Sequence, residues 1–204
     1  MSQVDMWAIE HKCFSDGAHL VCGVDEAGRG PLAGPVCAAA VILPPDLVIP
    51  GLDDSKKLSD AKRRALYPLI KESAVSYGIA FASNTEIDRI NILQATFLAM
   101  KRAVSRLSVR PDMLLVDGNR NADFVIPSIT VVHGDSLSAN IAAASILAKV
   151  TRDDIMLMAA EEYPAYAFEV HKGYGTKAHY AALEKFGPSE IHRSTFLKKF
   201  YGKK

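Results

Sequence analysis

Apolar positions along the 204-residue chain recur with two different periods. His19 to Asp25 is a short apolar run that closes on an acid, and Val36 to Leu43 is a second β-like run stopped by Pro44 and Pro45, which cannot donate to a strand ladder. Tyr77–Ala82 reads as a third strand, Met113–Asp117 as a fourth with Gly118 turning out of it, and Ser128–His133 as a fifth. Elsewhere the period lengthens to that of a helix. Ser59 can cap a helix reaching about Val75, in which Pro68 predicts a kink or a restart. Leu93, Phe97, Met100, Val104 and Leu107 fall on one helical face, and Arg110–Pro111 ends that segment. Ala139 to about Ala160 is a long helix whose many alanines permit close packing on a sheet. Strands come first and helices then alternate with them, which predicts an α/β fold: a mixed five-stranded sheet flanked by helices. Residues 1–204 are expected to form one domain, with a core over about 20–160 and a helical, loop-rich appendage over about 161–204.

An apolar fraction of 49% with 23% charged residues is enough for a core that needs no staple. Cys13, Cys22 and Cys37 are odd in number and have no pairing pattern, which argues against a disulfide framework and suits a reducing cytosol. The longest apolar run, Pro35 to Pro45, is broken by prolines and too short for a bilayer, and the acid-bearing N-terminus has no signal core. A soluble, cytoplasmic, monomeric chain is the expectation, with no membrane partner. The net charge of +1 is unremarkable, but its distribution is not: Tyr163–Lys204 carries +5 and 9 of the 16 aromatic residues. Such a tail can grip phosphates and stack on sugars or bases, or it can be a solvated helix with aromatics packed beneath it.

Acids sit where strands end. Asp25 and Glu26 close the first strand, Asp117 closes the fourth, and Asp135 lies just past the fifth. Ligands of open α/β sheets gather at carboxyl ends of strands. Carboxylates collected there repel one another until a hard divalent cation relieves them, and paired ions of that kind hydrolyse phosphodiesters. Taken singly, each acid can equally be a cap or a turn residue, Asp135 above all, since a helix follows it. No P-loop, zinc spacing or Ser-His-Asp set competes.

The segment Asp25-Glu26-Ala27-Gly28-Arg29-Gly30-Pro31-Leu32-Ala33-Gly34 looks at first like a dinucleotide loop. Its glycines fall as G-x-G-x-x-x-G, two carboxylates precede them, and Pro45 and Pro50 interrupt the next strand of a βαβ unit, so a nucleotide-dependent oxidoreductase is disfavoured. Gly28 and Gly30 can instead bring backbone polar groups close to a sugar hydroxyl, the 2′-OH being what distinguishes RNA from DNA, with Arg29 adding a phosphate contact. A tight turn needing positive φ would also account for the glycines.

The same segment, continued through Pro35 and Val36, resembles the signature of the ribonuclease HII family. Further matching blocks follow in order: Asp54-Ser55-Lys56-Lys57-Leu58, Val116-Asp117-Gly118-Asn119, Gly134-Asp135-Ser136, Ile141 through Asp153, His171-Lys172-Gly173-Tyr174-Gly175-Thr176 and His192-Arg193. The resemblance implies an RNase H-like fold with a C-terminal helical segment. It implies a metal-dependent endonuclease that hydrolyses the RNA strand of RNA–DNA hybrids and incises at ribonucleotides embedded in duplex DNA, leaving 3′-hydroxyl and 5′-phosphate ends, with a place in ribonucleotide excision repair. Asp25, Glu26, Asp117 and Asp135 match the family's four catalytic, metal-binding acids, with Mg²⁺ or Mn²⁺ as the ion. Gly28, Arg29 and Gly30 match the loop that reads the 2′-OH, and Tyr174 the tyrosine that stacks on the neighbouring deoxyribose. Ser55, Lys56 and Lys149 fall in blocks near backbone phosphates. Two departures stand out: His133 replaces the family's usual lysine, and Asp53 adds an acid beside Asp54. The competing class is a non-catalytic nucleic-acid binding module on the same fold, which would bind without turnover and without metal.

Two weaker signals remain. His171, His179 and His192 fit no zinc spacing and are expected at the surface or behind the site. Leu197, Phe200 and Tyr201 loosely resemble the plug of a sliding-clamp-binding tail, with Ser194 in place of the usual glutamine; packing of the tail onto the body is the stronger expectation.

Overall fold

The computed structural model describes residues 5–202; Met1–Val4 of the acid-bearing N-terminus and Lys203 and Lys204 of the basic tail lie outside them. In chain order the elements are α1 (Ala8–Ser15), β1 (Val21–Ala27), β2 (Val36–Ile42), α2 (Asp60–Ser73), β3 (Ser76–Ala82), α3 (Asn84–Ser105), β4 (Met113–Asp117), β5 (Ser128–Val131), α4 (Ala139–Glu162), α5 (Phe168–His171), α6 (Lys177–Phe186) and α7 (Ser194–Tyr201). Short 3₁₀ turns occupy Gly134–Ser136 and Pro164–Tyr166.

The sheet runs β3-β2-β1-β4-β5, so the first strand lies in the middle. β1 pairs antiparallel with β2 and parallel with β4, and β4 pairs parallel with β5. α3 packs its apolar stripe, including Ile87, Ala95, Ala99 and Ala103, on one face of the sheet. α4 and α2 cover the other, where Ala143, Ala144, Leu147 and Ile70 meet Ala39 and Val41. Gly23 lets β1 and α4 approach, since a Cβ there would lie 2.2 Å from the Asn140 carbonyl carbon. A third apolar cluster joins the C-terminal elements to the rest through Leu32, Ala33, Met156, Phe168, Leu183 and Leu197.

Several boundaries differ from expectation for identifiable reasons. α1 was not anticipated; its buried residues are only Glu10 and Cys13, too few for a periodic signal. α2 runs through Pro68 without a restart. α3 begins at Asn84, behind a capping box of Ser83 and Glu86. Asn91, at φ 65° and ψ 164°, interrupts it, and its side chain accepts from the Leu93 and Gln94 amides to start the second segment. β5 stops at Val131 because His133 turns left-handed, at φ 57° and ψ 36°. Among the described residues no helix is long and apolar enough to cross a membrane.

Candidate active site

Val24 of β1 pairs with Val116 of β4, so the next residue on each of these parallel strands is an aspartate. The third aspartate arrives from the 3₁₀ turn after β5, where the Gly134 amide donates to Asp117 Oδ1 at 2.8 Å and sets Asp135 beside it. Carboxylate oxygens of Asp25, Asp117 and Asp135 all lie within 4.8 Å of one another. Asp135 does not cap α4; Ser138 does, accepting from the Ile141 amide at 3.2 Å.

Glu26 stands apart from this trio. Alternation along a strand turns its side chain away from that of Asp25, and it lines both the cleft that Asp25 lines and a recess with Asp117, Asn119, Thr96 and Phe97. It accepts from Arg29 at 3.3 Å. Its charge still reaches the trio. Burial first, then the charges of Glu26 and Asp117, raise the Asp25 carboxyl well above its usual range. Burial raises Glu26 despite Arg29 beside it, and burial followed by Asp135 raises Asp117. Among the described residues the ion pairs at these four acids are Lys56–Asp135, at 2.7 Å, and Arg29–Glu26. The trio is thus a surplus of negative charge on hard oxygen donors, half sunk in protein. That fits a hard divalent cation rather than a soft metal.

Beside the acids opens a cleft of about 420 Å³, lined by Asp25, Glu26 and all seven residues expected around them: Gly28, Arg29, Gly30, Ser55, Lys56, Lys149 and Tyr174. Lys149 is held by Asp153 at 2.6 Å. Arg63, which sequence reasoning passed over, also lines the cleft and donates to the Ser55 carbonyl at 2.8 Å. Asp53 acquires a physical account: it accepts from the Asp54 amide at 2.7 Å and from Lys57 at 3.1 Å. Lys57 in turn reaches Ser136 Oγ at 3.3 Å, so Asp53 ties the Ser55–Lys56 loop to the turn carrying Asp135. His133 is exposed. A larger recess, of about 520 Å³, is walled by Val104, Leu107, Phe124 and Ile126 and contains none of these residues.

The glycine-rich loop is held from beneath by two arginines that the sequence placed in matching blocks but gave no role. Both are fully buried. Arg193 donates to the carbonyls of Gly28 (2.6 Å), Arg29 (2.9 Å), Gly34 (2.9 Å) and Pro35 (3.1 Å). Arg152 donates to Pro35 (3.1 Å), Ala33 (3.3 Å) and Lys172 (3.1 Å). Gly28 sits at φ +98°, and a Cβ there would fall 1.9 Å from Arg152 Nε. The glycine is required by both the conformation and the guanidinium packed against it. Tyr174 is 43% exposed, over Arg152 at 5.8 Å and against Gly30, where an added Cβ would lie 3.8 Å from its ring.

Two expectations for the tail resolve differently. Of the two places expected for the histidines the structure takes the second: His171, His179 and His192 are buried together behind Tyr174, with ring contacts of 4.5 Å and 5.1 Å. The apolar residues of α7 do pack on the body, Leu197 buried and Phe200 against Tyr180 at 5.2 Å.

Comparison with known proteins places this geometry. The family model described as Ribonuclease HII matches residues 22–199. A curated ribonuclease HII from Endomicrobium trichonymphae is 55% identical over 193 residues, spanning 94% of this chain and 92% of that protein. Among solved structures, ribonuclease H2 from Pyrococcus horikoshii OT3 superposes with a TM-score of 0.74 at 23% identity, covering 91% of this chain and all of that one. An RNase HIII termed Bst, solved in complex with Mn²⁺, gives 0.69 at 19% identity over 88% of this chain and 68% of that one. At such identities the two structures show a shared fold.

Proposed function

The chain belongs to the ribonuclease HII family, and from that membership and the site we infer that it is a metal-dependent endonuclease acting on the RNA strand of RNA–DNA hybrids and at ribonucleotides embedded in duplex DNA. The observation that carries the reading is the convergence of Asp25, Asp117 and Asp135 to within 4.8 Å at the edge of a cleft ringed by a glycine loop, cations and an exposed tyrosine.

Asp25, Asp117 and Asp135 would hold the ion, with Glu26 beside Asp117 completing the set. Bound there, Mg²⁺ or Mn²⁺ supplies a nucleophilic water and Lewis acidity toward the scissile phosphate. The protein's own groups do the rest. Arg29, Lys56 and Lys149 offer charge to backbone phosphates without reading sequence. Gly28 and Gly30 expose backbone to a 2′-OH, and the Tyr174 ring offers a face to the next sugar. The products expected are 3′-hydroxyl and 5′-phosphate ends.

The test is cleavage of a DNA duplex carrying one ribonucleotide, beside all-DNA and RNA–DNA hybrid duplexes, with Mg²⁺, Mn²⁺ or chelator. Incision 5′ to the ribonucleotide is expected, lost with chelator and in Asp25→Asn. Tight binding without cleavage under either metal would overturn the catalytic reading in favour of a binding module.

A further inference from the structure

Three buried histidines lie under the segment that carries Tyr174, and their hydrogen bonds can be satisfied in one arrangement of protons. The Ser189 amide lies 2.9 Å from His192 Nδ1, and a backbone N–H can only donate, so that nitrogen is bare. His192 therefore carries its proton on Nε2, which lies 2.9 Å from His179 Nε2 and donates to it. His179 must then be protonated on Nδ1, which donates to the Tyr174 carbonyl at 2.9 Å. The third ring follows the same logic: the Gly173 amide donates to His171 Nδ1 at 3.2 Å, so Nε2–H donates to the Tyr166 carbonyl at 2.8 Å. Each ring is neutral and each tautomer is fixed by its neighbour. Burial, then His179 alongside, holds His192 down to about 4, and burial lowers His179 as well.

The relay matters because of what stands at its two ends. His192 is followed by Arg193, whose guanidinium holds the Gly28, Arg29, Gly34 and Pro35 carbonyls. Two consecutive residues thus support both halves of the recognition surface: Arg193 the glycine loop, His192 through His179 the backbone of Tyr174. Tyr174 follows Lys172 and Gly173, both at positive φ, its ring is 43% exposed, and its other backbone bonds are short-range, its amide donating to the His171 carbonyl and its carbonyl also accepting from the Thr176 amide.

We propose that the His192–His179 pair is a proton-ordered strut that positions Tyr174 relative to the glycine loop, making His179 a positioning residue for substrate recognition. The proposal rests on the reading of the cleft as the substrate site. Losing the strut lets the Tyr174 backbone drift while the acids on β1 and β4 stay in place, so the cost falls on binding.

The experiment is a double-mutant cycle read in kcat and KM on the single-ribonucleotide duplex with Mg²⁺. The variants are His179→Ala, His179→Asn, Tyr174→Ala and each pair, with thermal melts beside them. His179→Ala should raise KM about tenfold, the scale of one lost buried hydrogen bond, with kcat within about twofold. His179→Asn, whose amide can still donate to the Tyr174 carbonyl, should recover most of the loss. In the Tyr174→Ala background neither change should raise KM further. If His179→Ala does not fold, the cycle is run with His179→Leu, which fills the space without a donor, and is judged by the same criterion. An equal KM increase in both backgrounds, or a loss confined to kcat, would overturn the strut while leaving the cleft reading intact. A Tyr174→Ala variant with unchanged KM would overturn both.

Discussion

Asp25→Asn should make the metal-free protein more stable while removing its activity. Asp25 is 5% exposed and shares a space of 4.8 Å with the oxygens of Asp117 and Asp135. Two unit charges about 4 Å apart repel by about 4 kcal/mol at an effective dielectric of about 20. Lys56 at 2.7 Å offsets the charge of Asp135, so beyond the cost of burial the main opponents are Glu26 and then Asp117. Protonation caps the penalty, because an ordinary aspartate can be neutralised at pH 7 for about 4 kcal/mol. Asparagine still accepts the Glu26 amide that Asp25 holds at 2.7 Å, losing about 1 kcal/mol of charge assistance. The net gain is about 1–3 kcal/mol, and at about 2–4 °C per kcal/mol for a chain of this size the melting point rises by roughly 2–12 °C. The pH dependence has a definite sign. The folded state raises the Asp25 carboxyl, so it binds more protons than the unfolded chain, and wild-type stability falls as pH rises from about 4 through the folded value. The advantage of the variant is therefore absent below about pH 4 and complete above the folded value. Circular-dichroism melts in chelator at pH 3.5 and 7.5 measure it. Adding Mg²⁺ should raise the wild type more than the variant. A variant that melts below wild type at pH 7.5 in chelator, or by the same margin at both pH values, would refute the reasoning.

Three other outcomes follow from the same structure. Gly28→Ala should cost about 2–4 kcal/mol in urea unfolding, combining positive φ with an overpacked contact on a pinned guanidinium, and should impair cleavage while the far-ultraviolet spectrum is retained; wild-type stability would remove the argument for that glycine. Lys149→Ala should weaken duplex binding equally for all sequences and lower the slope of log affinity against log salt by about 1, as one phosphate contact requires; an unchanged slope in fluorescence anisotropy would take Lys149 off the phosphate path. Glu10, fully buried with its carboxyl raised by burial, accepts from Ser138 and Asn140 at the start of α4. Glu10→Gln should be tolerated within about 1 kcal/mol at neutral pH, whereas Glu10→Ala should cost about 2–4 kcal/mol by leaving both partners unsatisfied beside a void; equal melting points for the two would contradict this.

How far the site could be read from the sequence depended on which physical signal each residue leaves. β2 and β4 are buried on both faces over most of their length, so they appear as unbroken apolar runs. The aspartates at the ends of β1 and β4 could be expected to meet because parallel neighbours end at the same edge. The separation of Glu26 from Asp25 was also implicit, since adjacent strand residues face opposite ways. The resemblance to a family is what adds Glu26 to the three aspartates as a fourth acid. α1 left no signal because a helix that buries one acid and one cysteine has no stripe to see.

The C-terminal tail shows what composition leaves open. Its positive charge and aromatic content suited either a surface for nucleic acid or a solvated helix with aromatics packed beneath it, and an ordinary expectation keeps Arg and His outside. Yet Arg193, His179 and His192 are buried, and the aromatic rings Tyr166 and Phe168 stack on each other at 5.4 Å beneath them. Burying a guanidinium is costly unless its donors are satisfied, and here the glycine-rich loop supplies the carbonyls. The loop can present its backbone to a substrate because its inward carbonyls are already bonded, and the arginine can be buried because the loop is there. Each half satisfies the other, so a variant that removes Arg193 should free the Gly28–Pro35 backbone to exchange its amide hydrogens while β1 and β4 stay protected. Uniform loss of protection across the sheet would mean that the tail supports the whole fold rather than the recognition loop.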